Sequence, residues 1–139
     1  MPILHFHLAE GQYTAEQHEA LLVESSRFFA EVLCCPIERV RVFIQLYRAD
    51  LVAVGGVPLD REDRRAPYFS FVVLEGRSLA DRQRLLRGFT DIVERVLGAD
   101  RALVRGGILP VAPENWAIGG MPASVMRQSE VAARAGKTG

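Results

Sequence analysis

Cysteine is nearly absent from this sequence: only Cys34 and Cys35 occur, and they are neighbours. Adjacent cysteines have poor geometry for a structural bridge, so no disulfide framework is expected and a reducing cytoplasm is the simplest home. Long apolar runs are missing too. No stretch approaches about 18 apolar residues, which excludes a membrane-spanning helix. The amino terminus has no basic segment followed by an apolar one, so no secretory signal is expected. Neither sign of charge is in excess, with 17 basic residues against 17 acidic ones, and this leaves no electrostatic footprint for nucleic acid. Gly55-Gly56 and Gly119-Gly120 are not followed by Lys-Ser/Thr and are read as turns, not phosphate loops. His5 and His7 share one strand face without a third ligand in view, so neither a metal nor a cofactor is implied. What remains is a chain of 139 residues, 49% hydrophobic, long enough for one compact core.

That chain begins twice. PILHFHLAEGQY at 2–13 returns as PYFSFVVLEGRS at 67–78, with Pro2, Phe6, Glu10 and Gly11 matching Pro67, Phe71, Glu75 and Gly76 at an offset of 65. The final pair differs: Gln12 stands opposite Arg77. From residue 14 the offset is 64. Thr14 and Ser78 are placed as helix N-caps, with Gln17 and Asp81 in the capping-box position. Leu21, Leu22, Phe28, Phe29, Val32 and Leu33 then recur at helical spacing, matched by Leu85, Leu86, Ile92, Val93, Val96 and Leu97. Cys35-Pro36 and Gly98 end the two helices. RVRVFIQLY at 39–47 alternates as a half-buried strand should, while glycines weaken the same reading of ALVRGGIL at 102–109. LVAVGGVP at 51–58 matches NWAIGGMP at 115–122.

Each half therefore reads as strand, helix, strand and a glycine-rich hairpin or turn. Repeat one spans 2–58, a charged linker 59–66, and repeat two 67–122, within a single domain over 1–127. The segment 128–139 has too little apolar content to pack and is expected to be a mobile tail. Two right-handed βαβ units predict an α+β fold, a four-stranded sheet with both helices on one face. The other face needs cover, which points to oligomerisation.

The proline after the initiator Met, the EGRS turn, Val-Arg in each second strand and an aromatic before Gly-Gly together resemble the tautomerase superfamily, whose founding member is 4-oxalocrotonate tautomerase. The tandem repeat is similar to fused members, which include malonate semialdehyde decarboxylase and cis-3-chloroacrylic acid dehalogenase. The resemblance covers residues 2 to about 122 and implies a homotrimer. It makes Pro2 the catalytic amino-terminal proline and Arg77 the arginine that holds a substrate carboxylate. Arg105 and Arg41 match the second-strand arginine that polarises the carbonyl or far carboxylate, and Trp116 matches the aromatic of the pocket wall. Gln12 and Val52 depart from the pattern in the first half, so one working site per chain is expected, built from Pro2 and second-half residues.

The implied activity is cofactor-independent tautomerisation of a small 2-oxo or 2-hydroxy unsaturated carboxylic acid, with catalytic residues Pro2, Arg77 and Arg105 and substrate-binding residues Arg41, Asn115 and Trp116. Removal of Met1 would leave a secondary amine, and an apolar pocket with arginines nearby would lower its proton affinity so that it serves as a base. An alternative keeps Pro2 protonated as the acid of a hydratase, dehalogenase or decarboxylase, with a carboxylate to activate water. Glu114 and Glu38 lie near such places, but alignment through Trp116 puts Asn115 where the dehalogenase relatives carry theirs. A third reading is a trimeric carboxylate-binding protein. Cys34 and Cys35 are read as packing residues.

Overall fold

Residues 3–9 bury every second side chain, and the pleat of a strand is why. In the computed structural model, which describes residues 2–137, Leu4, Phe6 and Leu8 of β1 (Ile3–Ala9) point into the core while Ile3, His5 and His7 face away. The chain then caps its first helix, α1 (Ala15–Leu33). Thr14 accepts from the Gln17 backbone, and Gln17 returns a bond to the Thr14 N–H, the full capping box. Cys34 ends the helix one residue earlier than expected, in the left-handed region at φ 51°, a place more often given to glycine. The strand β2 (Arg41–Tyr47) pairs parallel to β1, and a hairpin of β3 (Ala53–Val54) and β4 (Val57–Pro58) follows.

The second half repeats the plan. It consists of β5 (Tyr68–Leu74), α2 (Leu79–Leu97), β6 (Arg105–Val111) and the hairpin β7 (Ala117–Ile118) to β8 (Met121–Pro122). Ser78 caps α2 by accepting from the Asp81 N–H, and Gly98 closes it at φ 65°. Residues 59–66 carry no regular element. The sheet order is β2-β1-β5-β6, with β1 and β5 antiparallel at the centre and both outer pairs parallel. This is the expected four-stranded α+β arrangement of two βαβ units.

Both helices lie on one face over a cluster of phenylalanines. Phe6, Phe29, Phe69, Phe71 and Phe89 are all fully buried, and Phe89 has Phe29 and Phe71 edge-on at 5.1 Å between centroids. Such edge-to-face contacts contribute about 0.5–1.5 kcal/mol each beyond burial. Ion pairs Glu24–Arg95 (2.7 Å) and Glu31–Arg84 (3.5 Å) join the helices in antiparallel sense, but both are exposed and contribute little. On the opposite face Phe43, Tyr68 and Leu109 stay exposed, with His5 stacked on Phe43 at 5.1 Å.

After a short helix α3 (Ala123–Met126), residues expected to belong to a mobile tail form α4 (Gln128–Lys137), and Glu130 of α4 is tied to Arg39. The space above Gly106, next to Arg105, is filled by the chain itself. A β-carbon there would meet the Phe69 ring at 2.1 Å, whereas one at Gly107 meets nothing within 4 Å. Gly106→Ala should therefore destabilise the protein by about 1–3 kcal/mol through displacement of a core ring. Gly107→Ala should change the urea midpoint far less, and equal shifts in the two variants would refute this packing account.

Candidate active site

The centre of the sheet decides what lies beside Pro2. Because β1 and β5 run antiparallel with Ile3 opposite Val72, the start of β1 meets the end of β5. Pro2 is buried there beside Val73 and Leu74, and its carbonyl accepts from the Arg41 N–H at 3.0 Å. Directly after β5 the chain turns through Gly76, at φ 105°, and delivers Arg77 into the same cavity. One nitrogen of the Arg77 guanidinium donates to the Leu33 carbonyl at the end of α1, at 3.1 Å. That bond satisfies one of the helix's last carbonyls and fixes the side chain.

The cavity holds about 30 Å³ and is lined by Pro2, Cys35, Arg39, Arg77, Arg127 and Glu130 among others. A larger hollow of about 360 Å³ adjoins it through Arg39 and Arg127, and presents Glu38, Arg41 and Trp116. Burial pushes the Cys35 thiol above its ordinary range, against the pull of Arg39 and Arg77, so it stays a thiol at neutral pH. Arg39 donates to both carboxylate oxygens of Glu130, at 3.1 and 3.3 Å.

The expected residues thus separate into two groups. Pro2 and Arg77 share one cavity, with Arg41 and Trp116 next door, while Asn115 ends an exposed turn at Pro113–Asn115 and lines neither. Glu114 is exposed in the same turn. Arg105 lies elsewhere. The parallel register of β5 and β6 sets it opposite Tyr68, where its N–H bonds the Pro67 carbonyl at 3.1 Å and its guanidinium holds the Ala102 and Val104 carbonyls. Within one chain this is the far end of the sheet, roughly 20 Å from Pro2 by the rise of a seven-residue strand. Arg39, Arg127 and Glu130 were not foreseen; Arg39 adjoins the Val-Arg pattern, Arg127 is the last residue of the expected domain, and Glu130 sits in the segment expected to be a tail.

The mirror position is chemically empty by comparison. Pro67 and Gln12 meet at the other end of the sheet around a hollow of about 410 Å³ whose lining includes no arginine or lysine. The Gln12 amide donates to the Asp63 carboxylate at 3.0 Å and the Arg64 carbonyl at 3.3 Å, so it serves the linker. His7 Nδ1 lies 2.7 Å from the Tyr47 hydroxyl, and partial burial, with His5 adjacent, lowers its proton affinity. Two equivalent corners therefore differ in their cavity linings, and of the two only the Pro2 cavity is lined by arginines.

A proline at a strand start facing an arginine from the other repeat is what this geometry describes. No protein-family model matches the chain. The 2-hydroxymuconate tautomerases of Pseudomonas sp. (strain CF600) and Pseudomonas putida are each 38% identical over 64 residues, 46% of this chain and the whole of theirs. Among solved structures, a native fused 4-OT superposes with a TM-score of 0.83 at 21% identity, covering 90% of this chain and 98% of its own. A member of the cis-3-chloroacrylic acid dehalogenase family superposes with a TM-score of 0.75 at 16% identity, covering 96% of this chain and 98% of its own. The chain belongs to the tautomerase superfamily, as a fused two-repeat member.

The difference in lining between the corners predicts the outcome of two substitutions. Arg77→Ala should weaken binding of a small carboxylate by about 2–4 kcal/mol, the scale of a charge-assisted bidentate contact. Gln12→Ala should leave binding unchanged and loosen only the linker. Equal loss of affinity in both variants, read by calorimetric titration, would refute the assignment of the site to the Pro2 corner.

Proposed function

We propose that the protein is a cofactor-independent keto–enol tautomerase acting on a small 2-oxo or 2-hydroxy unsaturated carboxylic acid, with Pro2 as its base. The observation that carries this reading is the meeting of Pro2 and Arg77 in one cavity, against the uncharged pairing of Pro67 with Gln12. Removal of Met1 converts the Pro2 nitrogen from an amide into a secondary amine. Burial and the neighbouring Arg39 and Arg77 guanidiniums both favour its neutral form, so a lone pair is available near pH 7. The amine takes the proton from the substrate's enol oxygen or α-carbon and returns it to the other position. Arg77 holds the carboxylate, and the arginine-rich cavity stabilises the dienolate as charge develops, which is the largest contribution to rate in such sites. Arg41 and Trp116 serve the adjoining hollow.

The exposed Phe43, Tyr68 and Leu109 on the open sheet face support a homotrimer, the state named for fused 4-OT structures of the same fold. In such an assembly Arg105 joins a Pro2 site only by coming from a neighbouring copy, since the sheet separates the two within a chain. The hydratase-type alternative, with protonated Pro2 and a carboxylate to activate water, draws on Glu38 in the adjoining hollow. Rate against pH separates the two. Tautomerase activity should rise as the amine loses its proton, and the hydratase should fall.

A protein of this fold is described as inactivated by 2-oxo-3-pentynoate, and that reagent makes the test direct. A neutral amine adds to the alkyne carbon β to the ketone, one π bond of the alkyne breaks, and the amine's proton ends on the α carbon. Peptide mapping of the treated protein should find the adduct on Pro2, with loss of enol-acid tautomerase activity in step. Pro2→Ala should lower the rate roughly 10²-fold or more, the scale of a positioned general base. Pro67→Ala should leave it nearly intact, because an amide nitrogen is not basic. An adduct confined to Cys34, or retention of Met1 in the intact mass of an active preparation, would refute Pro2 as the base.

A further inference from the structure

The Pro2 cavity is too small for the reaction it is proposed to serve. About 30 Å³ admits a water or two and no organic acid. Part of its wall is the chain's own carboxylate. Glu130, on α4, reaches back 91 residues in sequence to Arg39 and lies 3.9 Å from the Nε of Arg127. Arg39, Arg77 and Arg127 therefore line one cavity together with a single carboxylate, which pairs with Arg39 and lies near Arg127. Arg127 is incompletely served by it. Its Nε is buried without a hydrogen-bond partner, and 3.9 Å is beyond hydrogen-bonding range. A buried charged donor left in this state is costly, and an oxygen seated about 1 Å closer would remove the cost.

We propose that Glu130 is the resident anion of this site, and that Arg39 and Arg127 are the receptor it guards. A carboxylate ligand enters by displacing Glu130, inherits the Arg39 contact and satisfies the Arg127 Nε. The inference rests on the reading of the cavity as a carboxylate site, and adds to Arg77 two arginines and a competing glutamate. It also gives the segment after residue 122 a task. The turn from α3 into α4 places Arg127 and Glu130 three residues apart on one side of the cavity, so receptor and competitor arrive together.

The two side chains then have opposite effects on affinity, which a merely structural strap does not produce. Calorimetric titration of the full-length protein with pyruvate, a 2-oxo acid without the reactive alkyne, should show Glu130→Gln binding roughly two- to fivefold more tightly than the wild type, the range for release of one partly exposed ion pair. Arg127→Gln should bind about tenfold more weakly or worse. If Arg127→Gln does not fold, Arg127→Lys takes its place, since it keeps the charge and removes the Nε donor. Weaker binding in both variants would mean that Glu130 organises the site and does not compete for it. Unchanged binding in both, or no binding in any, would remove Arg127 from the receptor. Labelling of Pro2 by 2-oxo-3-pentynoate stands or falls separately, so failure of the latch and failure of the tautomerase reading are distinguishable.

Discussion

The antiparallel pairing of β1 with β5 is the contact on which the rest depends. A parallel βαβ unit carries its first residue and its strand-end turn at opposite ends, too far apart to cooperate. Running two units head to tail across a shared centre brings the first residue of each against the turn of the other. Each corner of the sheet is thus a composite of both repeats, and its chemistry is decided by one residue from each. Pro2 receives Arg77, and Pro67 receives Gln12. The fold provides two equivalent corners, and the residue at one position of each turn puts an arginine into one cavity and not into the other.

Much of this was legible in the sequence because the signals are local and repeated. The alternation of β1, the caps at Thr14 and Ser78, the apolar faces of α1 and α2 and the paired Gly-Gly hairpins all depend on residues within a few positions of one another. Their recurrence at an offset of 64 or 65 made each half a check on the other. The placement of Arg105 was a different kind of question. Both second-strand arginines follow the same pattern, and only strand order and register decide which proline each one neighbours.

Gly106 and Glu130 were obscured for related reasons. A glycine announces missing volume without saying what enters it, and here a phenylalanine ring enters from the adjacent strand. Glu130 sits in a polar segment that carries no sign of a partner in the first repeat. Its contact to Arg39 is tertiary in the strict sense: two charges that meet only after every other element is in place.

The pairing of the helices has a consequence for what the two halves can still do apart. The Phe28 ring occupies the space that a side chain at position 88 would need; a β-carbon at Gly88 would lie 2.0 Å from it. The equivalents of these two positions in the other repeat are Ile92 and Glu24, which line the same groove between the helices. The interface is therefore a fit between unlike surfaces, a bulky ring on one helix and a notch on the other. Two copies of the first half would set Phe28 against glutamate, and two copies of the second would leave the notch beside a smaller isoleucine. Covalent linkage has let the halves become complementary instead of identical, so that if the chain were severed at its linker each would recognise the other better than itself.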